Sequence, residues 1–409
     1  MQASTATTQE YILTINGGSS SVRCALYQRM DKAQRADEAH DPLLLLRIKI
    51  DRIQEPRALL VVTRTDGSSS ACAIKAGNHK TVAAQLSGWL ATQDFYSGIG
   101  ATGHRVVHGL SHSTPQRITS TLLHELQNSA TLDPEHLPFE IELINAFQQQ
   151  FAEVPHIACF DTAFHRSMPE VARTLPIPYH LQSSGIERYG FHGLSYACLL
   201  DELGRIDRSL ATRRRIIMAH LGNGASLAAI HSGQCVDTTM SFTPASGIMM
   251  STRSGDIDPG LLFHLSNAAG LNNIELQRMM NHESGMQGIS GVSGDVRDLL
   301  QRESTEPRAA LALEMFCYGV RKQIGAYAAA LHGVDALIFA GGIGENAPQI
   351  RKRICDGLQF LGIEVDVTGN AANDLVISTR DARVKVFVMH TDEELMIARS
   401  VLSILNASF

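Results

Sequence analysis

Two glycine-rich turns between short apolar segments could hold a phosphate group. The first is NGGSSS, over residues 16–21, and the second is HLGNGAS, over residues 220–226. Glycine lets the backbone approach a ligand closely, and successive N–H groups in such a turn attract anions. Either turn alone is equally compatible with an ordinary hairpin. Together they favour a nucleotide held between two halves of the chain.

A third glycine-rich run, GGIGEN over residues 341–346, follows an apolar segment and precedes a predicted helix with Pro348 in its first turn. The N-terminus of a helix favours anions. The dinucleotide fingerprint G-x-G-x-x-G is incomplete because Ala347 and Pro348 follow Asn346, and the chain has no G-x-x-x-x-G-K-[ST] motif. The sequence therefore argues against a P-loop protein and against an ordinary Rossmann dehydrogenase.

Two arginines lie in stretches rich in glycine, serine and histidine. Arg105 is part of GHRVVHG, and Arg253 is part of STRSGDIDP. A guanidinium is a planar fork of donors that suits a carboxylate or a phosphate. Either arginine alone is more often structural, and Arg253 could form an ion pair with Asp256 or Asp258.

Three further polar side chains allow a functional or a structural interpretation. Asp161 follows the apolar run 157–159, where an acid is often functional in α/β folds but can equally cap a turn. His192, in YGFHG, by itself favours a packing role. Glu393 lies near the start of the last predicted helix, where its charge compensates the helix dipole.

The elements that position these residues alternate between strands and helices, which indicates an α/β fold. The segments ILTINGGSSSVRCAL and IIMAHLGNGASLAAI, which begin at Ile12 and Ile216, share a pattern of strand, turn and strand. Two copies half a chain apart indicate a duplicated domain. Thr391 and Glu394 predict a capping box for the last helix. The other predicted elements are strands at 43–50, 58–63, 334–339 and 384–389, helices at 80–92, 141–151 and 306–332, a loop at 31–41 and a polar tail at 1–10.

The composition is typical of a globular enzyme, with 44% hydrophobic and 19% charged residues, and is too apolar for a disordered chain. A net charge of −6 argues against nucleic-acid binding through bulk positive charge. No apolar run reaches the ~18 residues that cross a bilayer, and we expect no signal peptide. The seven cysteines are scattered singly, which predicts reduced thiols and a cytoplasmic protein.

Taken together, these stretches resemble the acetate and propionate kinase family from Asn16 to Arg399. The motifs that carry the resemblance are NGGSSSVR, GHRVVHG, FDTAFH, RYGFHGLS, HLGNGAS, FTPASGIMMSTRSGDIDP, SGVSGDVRDL, FAGGIGEN and DEELMIAR. The resemblance implies a homodimer with a duplicated actin-like (ribonuclease H-like) α/β fold and an interdomain nucleotide cleft. It implies an N-terminal domain over 1–163, completed by the helix 394–409, and a C-terminal nucleotide-binding domain over 164–393.

The resemblance also implies direct in-line transfer of the γ-phosphoryl group of ATP to acetate. The products are acetyl phosphate and ADP, and the reaction is reversible and uses Mg²⁺, for which Mn²⁺ can substitute. Three alternatives stay open. They are a kinase of the same fold acting on propionate or another short carboxylate, a sugar or glycerol kinase, and a non-enzymatic actin-like filament or chaperone protein.

The matching motifs assign roles to residues of this chain. Asn16 and Glu393 fall at the magnesium positions, and Arg105 falls at the position that binds the substrate carboxylate. His192 and Arg253 fall at positions that stabilise the transition state. The acyl pocket would be formed by Val107, His136, Phe191 and Pro244. The nucleotide contacts would come from Arg23, His220, Leu221, Gly222, Asn223, Gly224, Asp295, Val296, Arg297, Gly342, Ile343, Gly344, Glu345 and Asn346.

Asp161 falls at an acidic residue that the family is described as using for proton transfer. A carboxylic acceptor with a pKa of about 4–5 is already ionised at neutral pH, so it needs no general base. We therefore expect Asp161 to orient Arg105 or a magnesium-bound water.

Four positions depart from the family pattern. Arg23 replaces a lysine, Tyr196 replaces a histidine and Asp392 replaces an asparagine. Glu135 stands where the family has an apolar residue in the acyl pocket, and a carboxylate there is unfavourable unless it is paired or turned to solvent. Glu135 therefore leaves the choice between acetate and propionate open.

Overall fold

The computed structural model describes residues 10–18, 21–29, 41–53, 55–182 and 185–407. The chain divides into two compact units, Met1–Ala163 with Asp392–Phe409, and Phe164–Thr391. Asp392 and Glu393 thus belong to the first unit, whereas the resemblance assigned them to the second domain. Residues 31–40 of the predicted loop, most of the predicted polar tail, and Ser19 and Ser20 of the first glycine-rich turn lie outside the described residues.

The first unit is built on an eight-stranded sheet. Its strands are β1 Tyr11–Gly17, β2 Ser21–Gln28, β3 Leu43–Asp51, β4 Arg57–Arg64, β5 Ser69–Lys75, β6 Ile99–Val106, β7 Gln116–Arg117 and β8 His156–Phe160. The strand order is β5-β4-β3-β2-β1-β6-β8-β7. From β5 to β1 the neighbours are antiparallel, whereas β1, β6 and β8 are parallel.

Helices cover both faces of this sheet. They are α1 His79–Leu90, α2 Ser120–Asn128, α3 Leu137–Gln150 and the C-terminal helix Glu393–Ala407. Successive residues of a strand point to opposite faces. On β6, Gly103 faces Ile397 of the C-terminal helix, and His104 packs edge-on against Phe147 of α3. Strand β6, which carries Arg105, is therefore covered by helices on both sides.

The second unit repeats the central part of the first. Its strands are β9 Arg215–Leu221, β10 Ala225–His231, β11 Gln234–Thr238, β12 Ala336–Ala340 and β13 Lys385–Val388. The order β11-β10-β9-β12-β13 has two antiparallel pairs followed by two parallel pairs. The same order and directions occur in β3-β2-β1-β6-β8 of the first unit. The duplication predicted from the two glycine-rich hairpins is thus confirmed.

The second unit also contains most of the helices. They are α4 Glu170–Arg173, α5 Tyr179–Gln182, α6 Gly193–Ile206, α7 Arg208–Arg213, α8 Pro259–Ala269, α9 Asn273–Arg278, α10 Gly285–Ser290, α11 Val296–Arg302, α12 Pro307–Ala330, α13 Gly341–Asn346, α14 Pro348–Cys355 and α15 Val367–Ala372, so the C-terminal helix is α16. Within the described ranges, no helix has the length and apolar character that crossing a membrane requires.

One local prediction was wrong, and one short helix was not foreseen. The glycine-rich run at 341–346, to which the sequence assigned no element, is itself the short helix α13, entered through Gly341 at φ +76°. The capping residue of α16 is Asp392 and not Thr391, because Asp392 Oδ1 accepts the Leu395 N–H at 2.9 Å. Glu394 does not close a capping box, since its carboxylate accepts a hydrogen bond from Asn16. The other predicted helices and strands are present.

Candidate active site

Arg105 is held by two carboxylates in the first unit. Its Nη2 donates to Asp161 Oδ2 at 2.6 Å, and its Nη1 donates to the Gly17 carbonyl at 3.2 Å and to Glu140 Oε1 at 3.4 Å. Burial lowers the pKa of Arg105, but the charges of Asp161 and Glu140 raise it above its ordinary value overall. The guanidinium is therefore charged and fixed in direction. Asp161 makes the contact with Arg105 that the sequence led us to expect.

Glu140 of α3 is a buried acid that sequence reasoning missed. Its Oε2 accepts the Val107 N–H at 2.8 Å, so one carboxylate bonds both the predicted substrate arginine and the backbone of the predicted acyl pocket. Burial raises the pKa of Glu140 to about 8, although Arg105 lowers it. A signal was present, because residue 140 shares a helical face with Ile144 and Phe147, and an acid on an apolar face is unusual.

His136 lies directly before α3 and is oriented by Asp133. Its ring Nδ1 donates to Asp133 Oδ1 at 2.9 Å, which leaves Nε2 at the opposite side of the ring. Burial raises the pKa of Asp133, but the hydrogen bond and charge of His136 lower it below its ordinary value. His136 and Val107 are both buried and both connect to α3.

Asn16 lies near the end of β1, beside two carboxylates of α16. Its Nδ2 donates to Glu393 Oε2 at 2.9 Å and to Glu394 Oε1 at 3.1 Å. Burial, and then the neighbouring charge of Glu393, raise the pKa of Glu394. Two like charges and an amide suit a hard cation such as Mg²⁺, which would relieve their repulsion. In the part of the chain that the structure describes, no three His, Cys, Asp or Glu side chains form a metal-binding group, so water or substrate oxygens would complete such a site.

His192 precedes α6 with a left-handed φ of +60°, a conformation that costs a non-glycine residue on the order of 1 kcal/mol. Its Nδ1 lies 2.9 Å from Ser226 Oγ, which in turn lies 2.5 Å from Tyr196 OH. The ring stacks on His220 with 4.3 Å between centroids, and His220 Nδ1 is 2.7 Å from Ser195 Oγ. The orientation of His192 is therefore fixed by a hydroxyl and a second imidazole.

Gly224 brings His192 and Arg253 close together. A Cβ at position 224 would lie 3.3 Å from His192 Nε2 and 3.5 Å from Arg253 Nη1. Arg253 Nη1 also donates to the carbonyl of Pro244 at 3.2 Å. Of the two acids near Arg253 in sequence, Asp256 accepts the Gly247 N–H and Asp258 caps α8.

A cavity of about 680 Å³ in the second unit is large enough for a nucleotide. The predicted nucleotide residues that line it are Asn223, Asp295, Val296, Arg297, Gly342, Ile343 and Asn346. Lining residues that sequence reasoning missed are Ser251, Thr252, Ser293, Gly294 and Ala347. The small residues of this set gave no signal of their own, because serine and glycine are ordinary loop residues.

The remaining predicted nucleotide and acyl-pocket residues are not among those that line this cavity. Arg23 faces Asn16 across the β1–β2 hairpin, and Phe191 is buried directly before His192. Glu345 Oε1 accepts the Gly341 N–H at 3.0 Å, which stabilises the start of α13. Gly344 accepts a hydrogen bond from the buried Arg351. The others, at the end of β9 and in the turn that follows it, are His220, Leu221, Gly222 and Gly224.

Known proteins resemble the chain over nearly its whole length. Residues 11–399 match the acetokinase family. An acetate kinase of Protochlamydia amoebophila is 40% identical over 97% of this chain and 99% of its own. A propionate kinase of Citrobacter rodentium is 41% identical over 96% of each chain. The crystal structure of Porphyromonas gingivalis acetate kinase superimposes with a TM-score of 0.85 at 34% identity, covering 97% of this chain and 100% of that one. The chain belongs to the acetokinase family and has its duplicated, two-domain α/β fold.

Proposed function

We propose that this protein transfers the γ-phosphoryl group of ATP to acetate, giving acetyl phosphate and ADP in a reversible, Mg²⁺-dependent reaction. Membership of the acetokinase family supports the reaction class. The observation that carries the choice of acceptor is Arg105, a partly buried guanidinium held near the end of β6 by Asp161 and Glu140. Such a fork suits the carboxylate of a small acid.

The phosphoryl group needs positioning and charge neutralisation more than covalent chemistry from the protein. Because the acceptor is already ionised, no side chain has to remove a proton from it. Asp161 would act through its hydrogen bond to Arg105. His192 and Arg253, which approach each other at Gly224, would donate to the oxygens of the transferred group. The nucleotide would bind in the cavity lined by Asn223, Asp295 and Gly342.

Asn16 and Glu393 would hold the magnesium ion, with Glu394 beside them. Their hydrogen bonds and the raised pKa of Glu394 support this choice, because an amide and two close carboxylates form an oxygen-rich set that attracts a divalent cation. When bound, the ion would neutralise charge on the phosphate oxygens. The fold contributes to metal binding by holding the side chains of Asn16 and Glu393 next to each other before the ion binds.

Propionate is the second candidate acceptor. The Citrobacter rodentium relative is a propionate kinase, and its identity to this chain matches that of the acetate kinase relative. Glu135, which departs from the family pattern, is partly buried beside His136. A change at this edge of the acyl pocket would alter the preferred chain length of the acid. Comparing kcat/KM for formate, acetate, propionate and butyrate decides between the candidates.

The direct test is an ATP-dependent hydroxamate assay for acyl phosphate, with wild type and Arg105→Ala measured side by side. We expect acetate to give product, and Arg105→Ala to lower kcat/KM for acetate by about 10²–10³. The matched control is Arg64→Ala, which removes an exposed arginine of β4 and should leave kcat/KM unchanged. A folded wild-type protein that makes no acyl phosphate at high acetate would refute the proposal.

We further propose that the two units are the two actin-like domains, and that the protein is a cytoplasmic homodimer. All seven cysteines are free thiols and six are buried, which suits a reducing compartment. The helix α8, with the sequence PGLLFHLSNAA, has no buried side chain, and its Phe263 is 70% exposed. Exposed apolar surface of this kind is typical of a subunit interface.

A further inference from the structure

The surroundings of Arg105 contain more negative charge than a single guanidinium can balance. Asp161 and Glu140 both contact it, and Glu393 of α16 adds to the field that it experiences. A carboxylate substrate would bring one more negative charge to the same group. Like charges that share one site cannot all stay ionised at low cost when water is excluded.

The two carboxylates that contact Arg105 are not equivalent. Asp161 makes the short bond, at 2.6 Å, whereas Glu140 Oε1 is 3.4 Å from the guanidinium. The side chain of Glu140 is only 1% exposed, and its other oxygen accepts the Val107 N–H. Glu140 can therefore lose its charge while it keeps the bond that holds the acyl-pocket backbone.

We propose that Glu140 is a positioning residue for the acceptor, and that it must be protonated when a short carboxylate binds Arg105, so that binding takes up a proton wherever Glu140 is ionised in the free protein. The inference rests on the proposed function, since it takes Arg105 as the acceptor site. On binding, the ion pair between Glu140 and Arg105 is replaced by one between the substrate and Arg105. Each protein molecule whose Glu140 is ionised therefore binds one substrate carboxylate and takes up one proton, and that proton neutralises Glu140.

The charged groups that surround Glu140 support this assignment. Among the residues that the structure describes, Arg105 of β6 is the cation that contacts it, and Asp161 after β8 and Asp133 before α3 oppose its ionisation. The ring of His136 is turned toward Asp133. Burial raises the pKa of Glu140 to about 8, so its protonation changes within an accessible pH range.

Because binding is linked to protonation of Glu140, the proposal predicts how the KM for acetate changes with pH. Well below its pKa of about 8, Glu140 is already protonated, and the acceptor binds without a proton. Above pH 8 the site must take up a proton first, so the KM for acetate should rise about tenfold between pH 7 and pH 9. Glu140→Gln cannot ionise, so its KM should change less than about twofold over this range. At pH 9 the variant should bind acetate more tightly than wild type.

The test combines these kinetics with calorimetry. Acetate is titrated into nucleotide-free protein at pH 9 in two buffers of different ionisation enthalpy. We expect close to one proton taken up per acetate by wild type and none by Glu140→Gln. The matched control is Glu142→Gln, an exposed acid on the same helix, which should behave as wild type.

Each outcome separates the inference from the proposed function. If acetate neither binds nor yields acyl phosphate, the proposed function fails. If acetate binds and reacts without proton uptake, or if Glu140→Gln weakens binding equally at every pH, only the role of Glu140 is overturned. A merely structural Glu140 would not give a variant with improved affinity at high pH.

Discussion

Tyr196 and Ser226 determine which ring nitrogen of His192 carries hydrogen. A phenol is more acidic than an aliphatic alcohol, so Tyr196 is the better donor to Ser226 Oγ across their 2.5 Å contact. Ser226 has one hydrogen, which it then donates to His192 Nδ1 at 2.9 Å. This order of donors would place the hydrogen of the neutral ring on Nε2, the atom that approaches Gly224.

Removing the phenol should make the activity sensitive to pH. In Tyr196→Phe, Ser226 can accept from Nδ1 instead, and the tautomer that lacks a hydrogen on Nε2 gains population. When the ring is protonated it carries both hydrogens, and the loss is then small because Nε2 still donates. We expect kcat of the variant to fall about two- to tenfold from pH 6 to pH 8 relative to wild type.

The control for this series is Tyr27→Phe, which removes a buried phenol from the first unit. It should change kcat equally at every pH, or not at all. A pH-independent ratio for Tyr196→Phe would mean that the phenol only packs against its neighbours. Nitrogen chemical shifts of histidine-labelled protein, assigned with His192→Gln, report the tautomer without any turnover.

Sequence reasoning found the residues that stand in unusual local sequence and missed those whose role depends on packing. Arg105 and Asp161 lie in distinctive motifs at strand ends, so their types and positions were informative. Glu140 gave a weaker signal, because an acid in the first turns of a helix already has an explanation in dipole compensation even where the helical face is apolar. Only the packing of α3 against β6 brings it to Arg105.

At the scale of elements, a glycine decides how closely α16 lies on the sheet of the first unit. An ideal Cβ at Gly103 would lie 2.5 Å from Ile397 Cγ2 and 2.7 Å from Val401 Cγ2. Both of those side chains are buried. The C-terminal helix can thus pack against β6 only because residue 103 has no side chain.

Two glycine-to-alanine substitutions in the first unit should have opposite effects. Gly103→Ala overpacks the contact between α16 and β6 and should lower the free energy of unfolding by about 1–3 kcal/mol. Gly88→Ala, in the interior of α1, meets nothing within 4 Å and should raise it by up to about 1 kcal/mol. Urea unfolding followed by circular dichroism measures both, and equal effects of the two variants would contradict this account of the packing.

Helix boundaries show why some local predictions failed. Thr391 and Asp392 are both good capping residues, and their sequence alone does not decide between them. The structure selects Asp392, because Glu394 is engaged with Asn16 and Arg47 and cannot complete the box with Thr391. Long periodic helices such as α12 were predicted well, since their buried faces repeat over many turns.

At the scale of the whole molecule, the sequence predicted the duplicated sheet. It did not by itself predict that the C-terminal segment returns to the first unit. Two similar hairpins half a chain apart indicated two copies of one sheet, and the shared strand order bears this out. The return of the chain to the first unit at Asp392 has no local signal. It was expected only from the resemblance, because it depends on contacts between residues almost 300 positions apart, such as Gly103 and Ile397.

The proposed dimer gives a prediction for the whole molecule. Burying apolar surface at a subunit interface contributes about 25 cal/mol per Å², so a charge placed in that surface should oppose association. Phe263→Glu, on α8, should convert the dimer to a monomer in size-exclusion chromatography with light scattering. Phe360→Glu is the matched control, because Phe360 is 72% exposed against 70% for Phe263 and lies elsewhere in the same unit. If both variants stay dimeric, the interface does not include α8, and if wild type is a monomer, the dimer itself is refuted.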